Sequence, residues 1–293
     1  MPRLAICGMA ALLGAAMANA ETRNSIYQFN AYCHEGTHYE IQQWSKTIKI
    51  IQGFADPAKR FQFAARTEEY QGGQWVDIGP GTINLVRIHE DVPDPGTVIL
   101  EISGSPPYPT GAIDVKKINL PTSQTAYSRI WWIRIQGDLG IDGLSDFDRI
   151  DLIEVDGDLY DSLWSIGDIT NSVTIGGHLL GDITGGHMTG STTIGSLSGQ
   201  FNVTGAGLLG PLHVTGNVTD DGVIFVKGSC TKAIDIDGNF GGSLSIGWEE
   251  DHDLRAPLTI DGLCSGDITI TRLYSDPSDQ GSIYIGQDCT GDT

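Results

Sequence analysis

Residues 260–270 read IDGLCSGDITI and residues 285–293 read IGQDCTGDT, with Ile, Cys, Gly and Asp at matching offsets 25 residues apart. The earlier copy runs on into an alternating strand, and the later one stops where that strand would begin. The two are the last steps of a longer pattern, and tracing it backwards decides the fold.

From about residue 130 onward a five-residue unit recurs: apolar, polar, apolar, any residue, then usually Gly. It reads Ile133-Arg134-Ile135-Gln136-Gly137, Ile153-Glu154-Val155-Asp156-Gly157 and Val173-Thr174-Ile175-Gly176-Gly177. It continues as Leu212-His213-Val214-Thr215-Gly216, Ile234-Asp235-Ile236-Asp237-Gly238 and Leu258-Thr259-Ile260-Asp261-Gly262. Weaker copies are Thr192-Thr193-Ile194-Gly195-Ser196 and Ile283-Tyr284-Ile285-Gly286-Gln287. Period-two alternation places the apolar pair on one face and the middle residue on the other. The Gly is expected to supply the positive φ by which the chain leaves each strand.

The second apolar residues are Ile135, Val155, Ile175, Ile194, Val214, Ile236, Ile260 and Ile285, spaced by about 20 residues at first and about 25 at the end. A second series, Ile183, Val203, Ile224, Ile246 and Ile270, falls between them with similar steps. Strands this short, separated by Gly-Asp and Gly-Asn corners, leave no room for crossover helices, and no stretch here sustains a 3.6-residue period. The chain is therefore expected to be all-β, a parallel β-helix (solenoid) of about 20–25-residue turns stacked roughly 4.8 Å apart. Equivalent Ile and Val would form interior ladders, each buried side chain contributing about 1.5–3 kcal/mol against the entropy of ordering its turn.

One conflict of phase stays open. Val226-Lys227-Gly228-Ser229-Cys230 matches the Cys264 and Cys289 units, yet Ile236 to Ile246 matches Ile260 to Ile270 without a gap. Both cannot lie directly beneath Ile260. The Cys264–Cys289 alignment is unaffected, and stacked Cα atoms near 4.8 Å are within disulfide range. The two are read as adjacent, either bonded or as small buried thiols in one ladder.

Residues 21–80 read differently, with Trp44, Trp75, alternating Thr47-Ile48-Lys49-Ile50-Ile51 and Arg60-Phe61-Gln62-Phe63, and turns at Asp56-Pro57 and Gly72-Gly73. They are expected to form a small N-terminal β-rich cap. The coil is assigned to 81–293, with irregular early turns at Asn84-Leu85-Val86-Arg87-Ile88 and Ile99-Leu100-Glu101-Ile102. Because IGQDCTGDT opens a turn without a capping helix, Pro or Lys run, the sequence is read as truncated at its C-terminus.

The first twenty residues, MPRLAICGMAALLGAAMANA, carry Arg3, an apolar run from Leu4 to Met17 and a small-x-small site at Ala18-Asn19-Ala20. They read as a signal peptide cleaved after Ala20, the run being too short to span a bilayer. No later segment has transmembrane character. With 37 Asp+Glu against 17 Lys+Arg and a formal net charge of −20, the chain is a poor partner for nucleic acid. It suits a secreted protein, or one that collects divalent cations. Cys33, Cys230, Cys264 and Cys289 remain after cleavage, an even count that permits two disulfides, and no close pair suggests zinc.

On these h-x-h-x-G units, residues 81–293 resemble the right-handed parallel β-helix proteins of the pectin-lyase-like type. That resemblance implies polysaccharide lyases, glycoside hydrolases, adhesins and surface passenger domains as functional company. The shorter Gly-Asp repeats are also similar to filament-forming bactofilins, whose turns are more uniform. Fold alone does not settle function. Polygalacturonase-like hydrolases carry Asn-Thr-Asp, Asp-Asp, Gly-His-Gly and Arg-Ile-Lys in that order. Here Gly177-His178 and Gly186-His187 precede Asp220-Asp221, neither His is followed by Gly, and Arg-Ile-Lys is missing. Asp220-Asp221-Gly222 reads more naturally as a turn.

Lyases of this fold use Ca²⁺, so the acidic clusters Asp146, Asp148 and Asp151, and Glu249, Glu250, Asp251 and Asp253 beside His252, are the candidate ligands. Such clusters are more often solvated loops. Gly137-Asp138-Leu139-Gly140-Ile141-Asp142 occurs once where Ca²⁺-binding nonapeptides need tandem copies. Asp235-Ile236-Asp237-Gly238-Asn239 resembles an EF-hand loop but places Ile246 where the bidentate Glu belongs. His34 and His38, near Cys33 and Glu35, read as a polar surface turn. No catalytic set and no cofactor is assigned, apart from Ca²⁺ at those clusters. The leading expectation is a non-enzymatic bacterial surface or matrix protein, structural or adhesive, with extracellular polysaccharide or cell-surface components as partners. The alternatives are a Ca-dependent polysaccharide lyase or hydrolase, and a carbohydrate-binding module using Trp131, Trp132 or Trp164.

Overall fold

The computed structural model describes residues 21–28, 39–50, 59–88, 98–102, 113–116, 118–119, 129–140, 149–160, 162–164, 168–248, 252–276 and 279–288. The described residues form strands, bridges and turns with no helix among them. The chain is a parallel β-helix. Ile135, Val155, Ile175, Ile194, Val214, Ile236, Ile260 and Ile285 pair one to the next in parallel register. From Ile135 to Ile260 all are buried, and Ile285 packs half-buried against them. Backbone bonds tie each rung to the one before, as in Thr215 N–H to the Ile194 oxygen at 2.9 Å and Asp261 N–H to the Ile236 oxygen at 2.9 Å.

Each turn has three walls. The first is the ladder just described. The second runs through Leu163–Trp164, Asp182–Gly185, Gln200–Val203, Val223–Val226, Ser243–Ile246 and Asp267–Ile270. The third is narrower: Gly207–Leu208 pairs with Ser229–Cys230, and single bridges continue it through Ile169 and Met188 on one side and Leu254 and Leu273 on the other. Between the first two walls a corner column stacks Leu139, Leu159, Leu179, Leu197, Val218, Phe240 and Cys264.

Three expectations are corrected by this register. The second series is real but mixed in phase: Ile183 stacks on Phe201 and Ile224, whereas Val203 stacks on Val226, Ile246 and Ile270. Both columns face inward, so apolar spacing alone could not separate them. The conflict around Cys230 resolves because Ile236 lies beneath Ile260, Phe240 beneath Cys264, and Cys230 in the third wall between Leu208 and Leu254. Cys33 and Cys289 lie outside the described residues. The third correction concerns glycine. Positive φ occurs at Gly72, Gly73, Gly79, Gly140, Gly207 and Gly247, and the corner glycines of the repeat are not among them. Their reason is close approach: a Cβ on Gly262 would lie 2.5 Å from the Gly238 oxygen and 2.6 Å from Asn239 Oδ1. The rung spacing is fixed by backbone bonding, so the neighbour cannot yield.

The N-terminal residues join this coil through hydrogen-bonded strands. Lys59–Gln71 turns at Gly72-Gly73, with φ of 58° and 91°, into Gln74–Pro80, as a tight hairpin with two left-handed residues requires. Its first half pairs in parallel with Val98–Ile102, which pairs in parallel with Arg129–Ile135. Its other side is covered by the antiparallel strand Thr22–Gln28. Thr47–Ile50, hairpinned to Tyr39–Gln42, lies parallel to Leu85–Ile88, which in turn lies parallel to Ile118–Asn119. Glu68 pins the covering strand: its buried carboxylate accepts from Arg23 Nε at 2.7 Å, Ser25 Oγ at 2.7 Å and Arg66 Nη2 at 2.6 Å. Arg23 also lies over the Trp75 ring, 4.1 Å from its centroid. The segments at Asp56-Pro57, Val92 to Gly96 and Ser105 to Pro109 lie outside the described residues. Among the described residues no helix is long and apolar enough to cross a membrane.

Two outcomes are expected. Thr192 stands in an otherwise aliphatic ladder between Val173 and Leu212, fully buried, and its hydroxyl has no partner among the described residues. Thr192→Val is expected to stabilise the fold by about 1 kcal/mol in urea unfolding, because an unpaired buried hydroxyl is removed. Burial alone would raise the Glu68 pKa, but the hydrogen bonds from Ser25 and Arg23 and the charges of Arg66 and Arg23 outweigh it and hold it low. A lowered carboxyl contributes stability above its unfolded value, and that stability is lost as pH falls through the folded value. Thermal melts between neutral pH and about pH 3 should therefore show an acid loss that is smaller in Glu68→Gln than in the parent chain.

Candidate functional site

The residue before each corner side chain faces outward, and there the chain favours short acids and amides. Asp114 Oδ1 accepts from Asp138 N–H at 3.1 Å, Asp138 Oδ1 from Asp158 N–H at 2.7 Å, and Asp158 Oδ1 from His178 N–H at 2.7 Å. Further along the same column Asn217 Oδ1 accepts from Asn239 N–H at 2.8 Å and Asn239 Oδ1 from Leu263 N–H at 2.9 Å. Side chains of this length reach one rung up and close the backbone group left over at the corner. The stacked acids leave a negative stripe. The Tyr160 phenol is pushed above its ordinary value, first by desolvation and then by Asp158, Asp138 and Asp114.

The turns at either end of the second wall work similarly. Asp182 accepts from Gln200 N–H at 3.1 Å and from Ser162 Oγ at 3.3 Å. Asp168 Oδ1 meets both the backbone N–H of His187, at 3.0 Å, and its Nδ1, at 2.6 Å. On the far side of that ring Nε2 accepts from Ala206 N–H at 3.2 Å. An imidazole nitrogen facing an N–H must present its lone pair, so Nδ1 carries the proton towards Asp168. His187 is thereby locked as a strut between three rungs, with no nitrogen left to take a substrate proton. His213 sits on the outer face of the first wall, its Nε2 2.9 Å and 3.0 Å from the two oxygens of Asp237.

Most of the cation ligands singled out from sequence lie outside the described residues. Asp146, Asp148, Glu249, Glu250 and Asp251 lie outside the described residues, and Asp151 lies in the strand Arg149–Val155 with its side chain undescribed. Asp253 is buried, its Oδ1 accepting from Arg255 Nε at 2.6 Å, and Arg255 lies 4.8 Å from the Tyr274 ring centroid. Among the described residues no three His, Cys, Asp or Glu side chains are grouped to hold a metal ion. Asp220-Asp221 forms the turn expected of it, closed by Gly222 N–H to the Thr219 oxygen at 2.9 Å. It lies two rungs beyond His178 and on a different corner from His187. Trp131, Trp132 and Trp164 stand in strands of the first two walls, with side chains undescribed. Cys230 is buried, its thiol pushed up to about 12 by that burial, which makes it inert packing.

Two surface features escaped the sequence reading. One is an open groove of about 530 Å³ along the first corner, lined by Asn217, Asp220, Asp221, Asn239, Leu263 and Asp288. The other is Trp248, 70% exposed, with its ring centroid 6.3 Å from that of Phe225 and the planes at 74°. An aromatic directly after the Gly that ends a second-wall strand, Gly247, was the available signal. No protein-family model, curated protein or solved structure matches the chain.

The corner column predicts opposite responses to two changes at one position. Asp138→Ala removes the acceptor of Asp158 N–H and is expected to cost about 1 kcal/mol. Asp138→Asn keeps the acceptor, as Asn217 and Asn239 do, and takes one charge from between two others. It should melt at or above the parent temperature, with an advantage that shrinks in high salt. Thermal melts at low and high salt check both.

Proposed function

We propose that the chain is an exported, non-enzymatic β-solenoid that acts as a rigid structural or adhesive element at a bacterial cell surface or in its matrix. The observation that carries this reading is the engagement of the side chains best suited to acid–base work. Asp114, Asp138, Asp158, Asp168, Asp182 and His187 each hold a backbone N–H of the next rung. A general base must be within reach of a substrate proton, and an acid pair must flank the bond to be broken. Carboxylates held in ladders by the N–H groups of the next rung stiffen a coil, and that engagement gives each of them a structural role. The signal-like residues 1 to 20 and the acidic composition support export. Cys264 and Cys289 stand four residues beyond the paired Ile260 and Ile285, which supports their adjacency in one ladder, as a disulfide or as two small thiols.

The test is digestion of acidic and neutral polysaccharides by the purified mature chain, with and without Ca²⁺, followed by reducing ends and unsaturated products. No product is expected. Turnover abolished by substituting Asp146, Asp148 and Asp151, or Glu249, Glu250, Asp251 and Asp253, would replace this reading with a lyase or hydrolase. Intact mass of the exported chain should begin at Glu21; retention of Met1 would overturn the export step.

A further inference from the structure

The outward positions of the second wall are mostly polar, with Trp164, Val223 and Phe225 as the apolar ones. Its middle column runs Trp164, Thr184, Asn202, Phe225, Ser245, Thr269 in parallel register. The neighbouring column runs Asp182, Gln200, Val223, Ser243, Asp267. Phe225 thus interrupts a stripe of uncharged hydroxyl and amide groups. Trp248 stands beside it, two residues beyond the strand Ser243–Ile246.

The position of Trp248 is built. Gly247 adopts φ +84°, which turns the chain away from the wall. Gly247 N–H donates to the Val226 oxygen at 2.9 Å, and its own oxygen accepts from Thr271 Oγ1 at 2.8 Å. The indole is therefore presented from a fixed anchor with most of its surface in water. Burying such a side chain would contribute about 1.5–3 kcal/mol, which the fold forgoes here.

We infer that Phe225 and Trp248, with the Asn202 and Ser245 side chains on either side of Phe225, form a binding face for a neutral polysaccharide. An aromatic plane accepts the C–H face of a sugar ring, and its polar flanks match ring hydroxyls. Because the column repeats at the rung spacing of roughly 4.8 Å, it sets hydroxyl and amide groups in a row along which a polymer can lie. Charge selects the class. The chain carries −20 overall, Asp182 and Asp267 flank the face, and Lys227 is the positive group at the end of the Val223–Val226 strand. A polyuronate would be repelled, whereas an uncharged glycan would not. This inference extends the adhesive reading, and that reading is tested by cleavage, so the two fail separately.

The experiment is a pull-down and affinity electrophoresis of the full chain with cellulose, chitin, starch and xylan, with polygalacturonate as the acidic counterpart. Binding to at least one neutral polymer is expected, with quenching or a shift of tryptophan fluorescence. Trp248→Ala should weaken it tenfold or more, and Trp248→Tyr should recover part of that loss. Trp44→Ala, which removes a fully exposed indole elsewhere, should leave binding unchanged. Circular dichroism identical to the parent keeps the Trp248 variants interpretable. Failure to bind any neutral polymer, preference for polygalacturonate, or a Trp248→Ala chain that binds like the parent would overturn the assignment.

Discussion

Parallel strands cannot satisfy their backbone groups alone. Each turn of this chain leaves a row of N–H and C=O groups that only the next turn can complete, and the pairing is parallel from Arg129–Ile135 to Ser282–Ile285, with one shift after Ile175. That requirement sets the spacing between equivalent residues, and most other features follow from it. Aliphatic side chains at one offset become a ladder buried on both sides. Glycine is favoured at most corners because the rung beneath occupies the space of a Cβ. Short polar residues before each corner become the natural partners of the N–H that the turn exposes.

The same requirement gives a structural role to several of the chain's 37 acidic residues. A carboxylate one residue before a corner sits where a backbone donor needs an acceptor, and Asp and Asn serve equally well. The stripe of Asp114, Asp138 and Asp158 and the amides of Asn217 and Asn239 are two solutions to one local problem. His187 is a third, longer one, spanning from Asp168 to the Ala206 N–H. What distinguishes the surface is therefore a break in its repetition, and Trp248 beside Phe225 is such a break.

The first wall was legible in the sequence because its two inward residues straddle one outward residue and a Gly follows, so anchors such as Ile175, Ile194 and Val214 could be aligned without ambiguity. The second wall was only half legible. Ile183 and Val203 are both inward but belong to neighbouring columns, and alternation is blind to a shift of two residues. Cys230 misled for a related reason, since a Cys four places after an apolar residue occurs after either wall. The role of the corner glycines was read as torsional where it is steric, a distinction that depends on the adjacent rung. The struts made by Asp168 and His187 were out of reach for the same cause, as their partners lie about 19 residues away.

The account stands on in-register stacking of turns, and spin labels test it most directly. Thr174 and His213 face outward on rungs two apart, joined through Thr193. Nitroxides on Thr174→Cys and His213→Cys, in a chain whose native cysteines are replaced by Ala, should lie about 10 Å apart, twice the rung spacing, and broaden each other strongly. Labels separated by more than about 25 Å, or lacking dipolar broadening altogether, would contradict the coil.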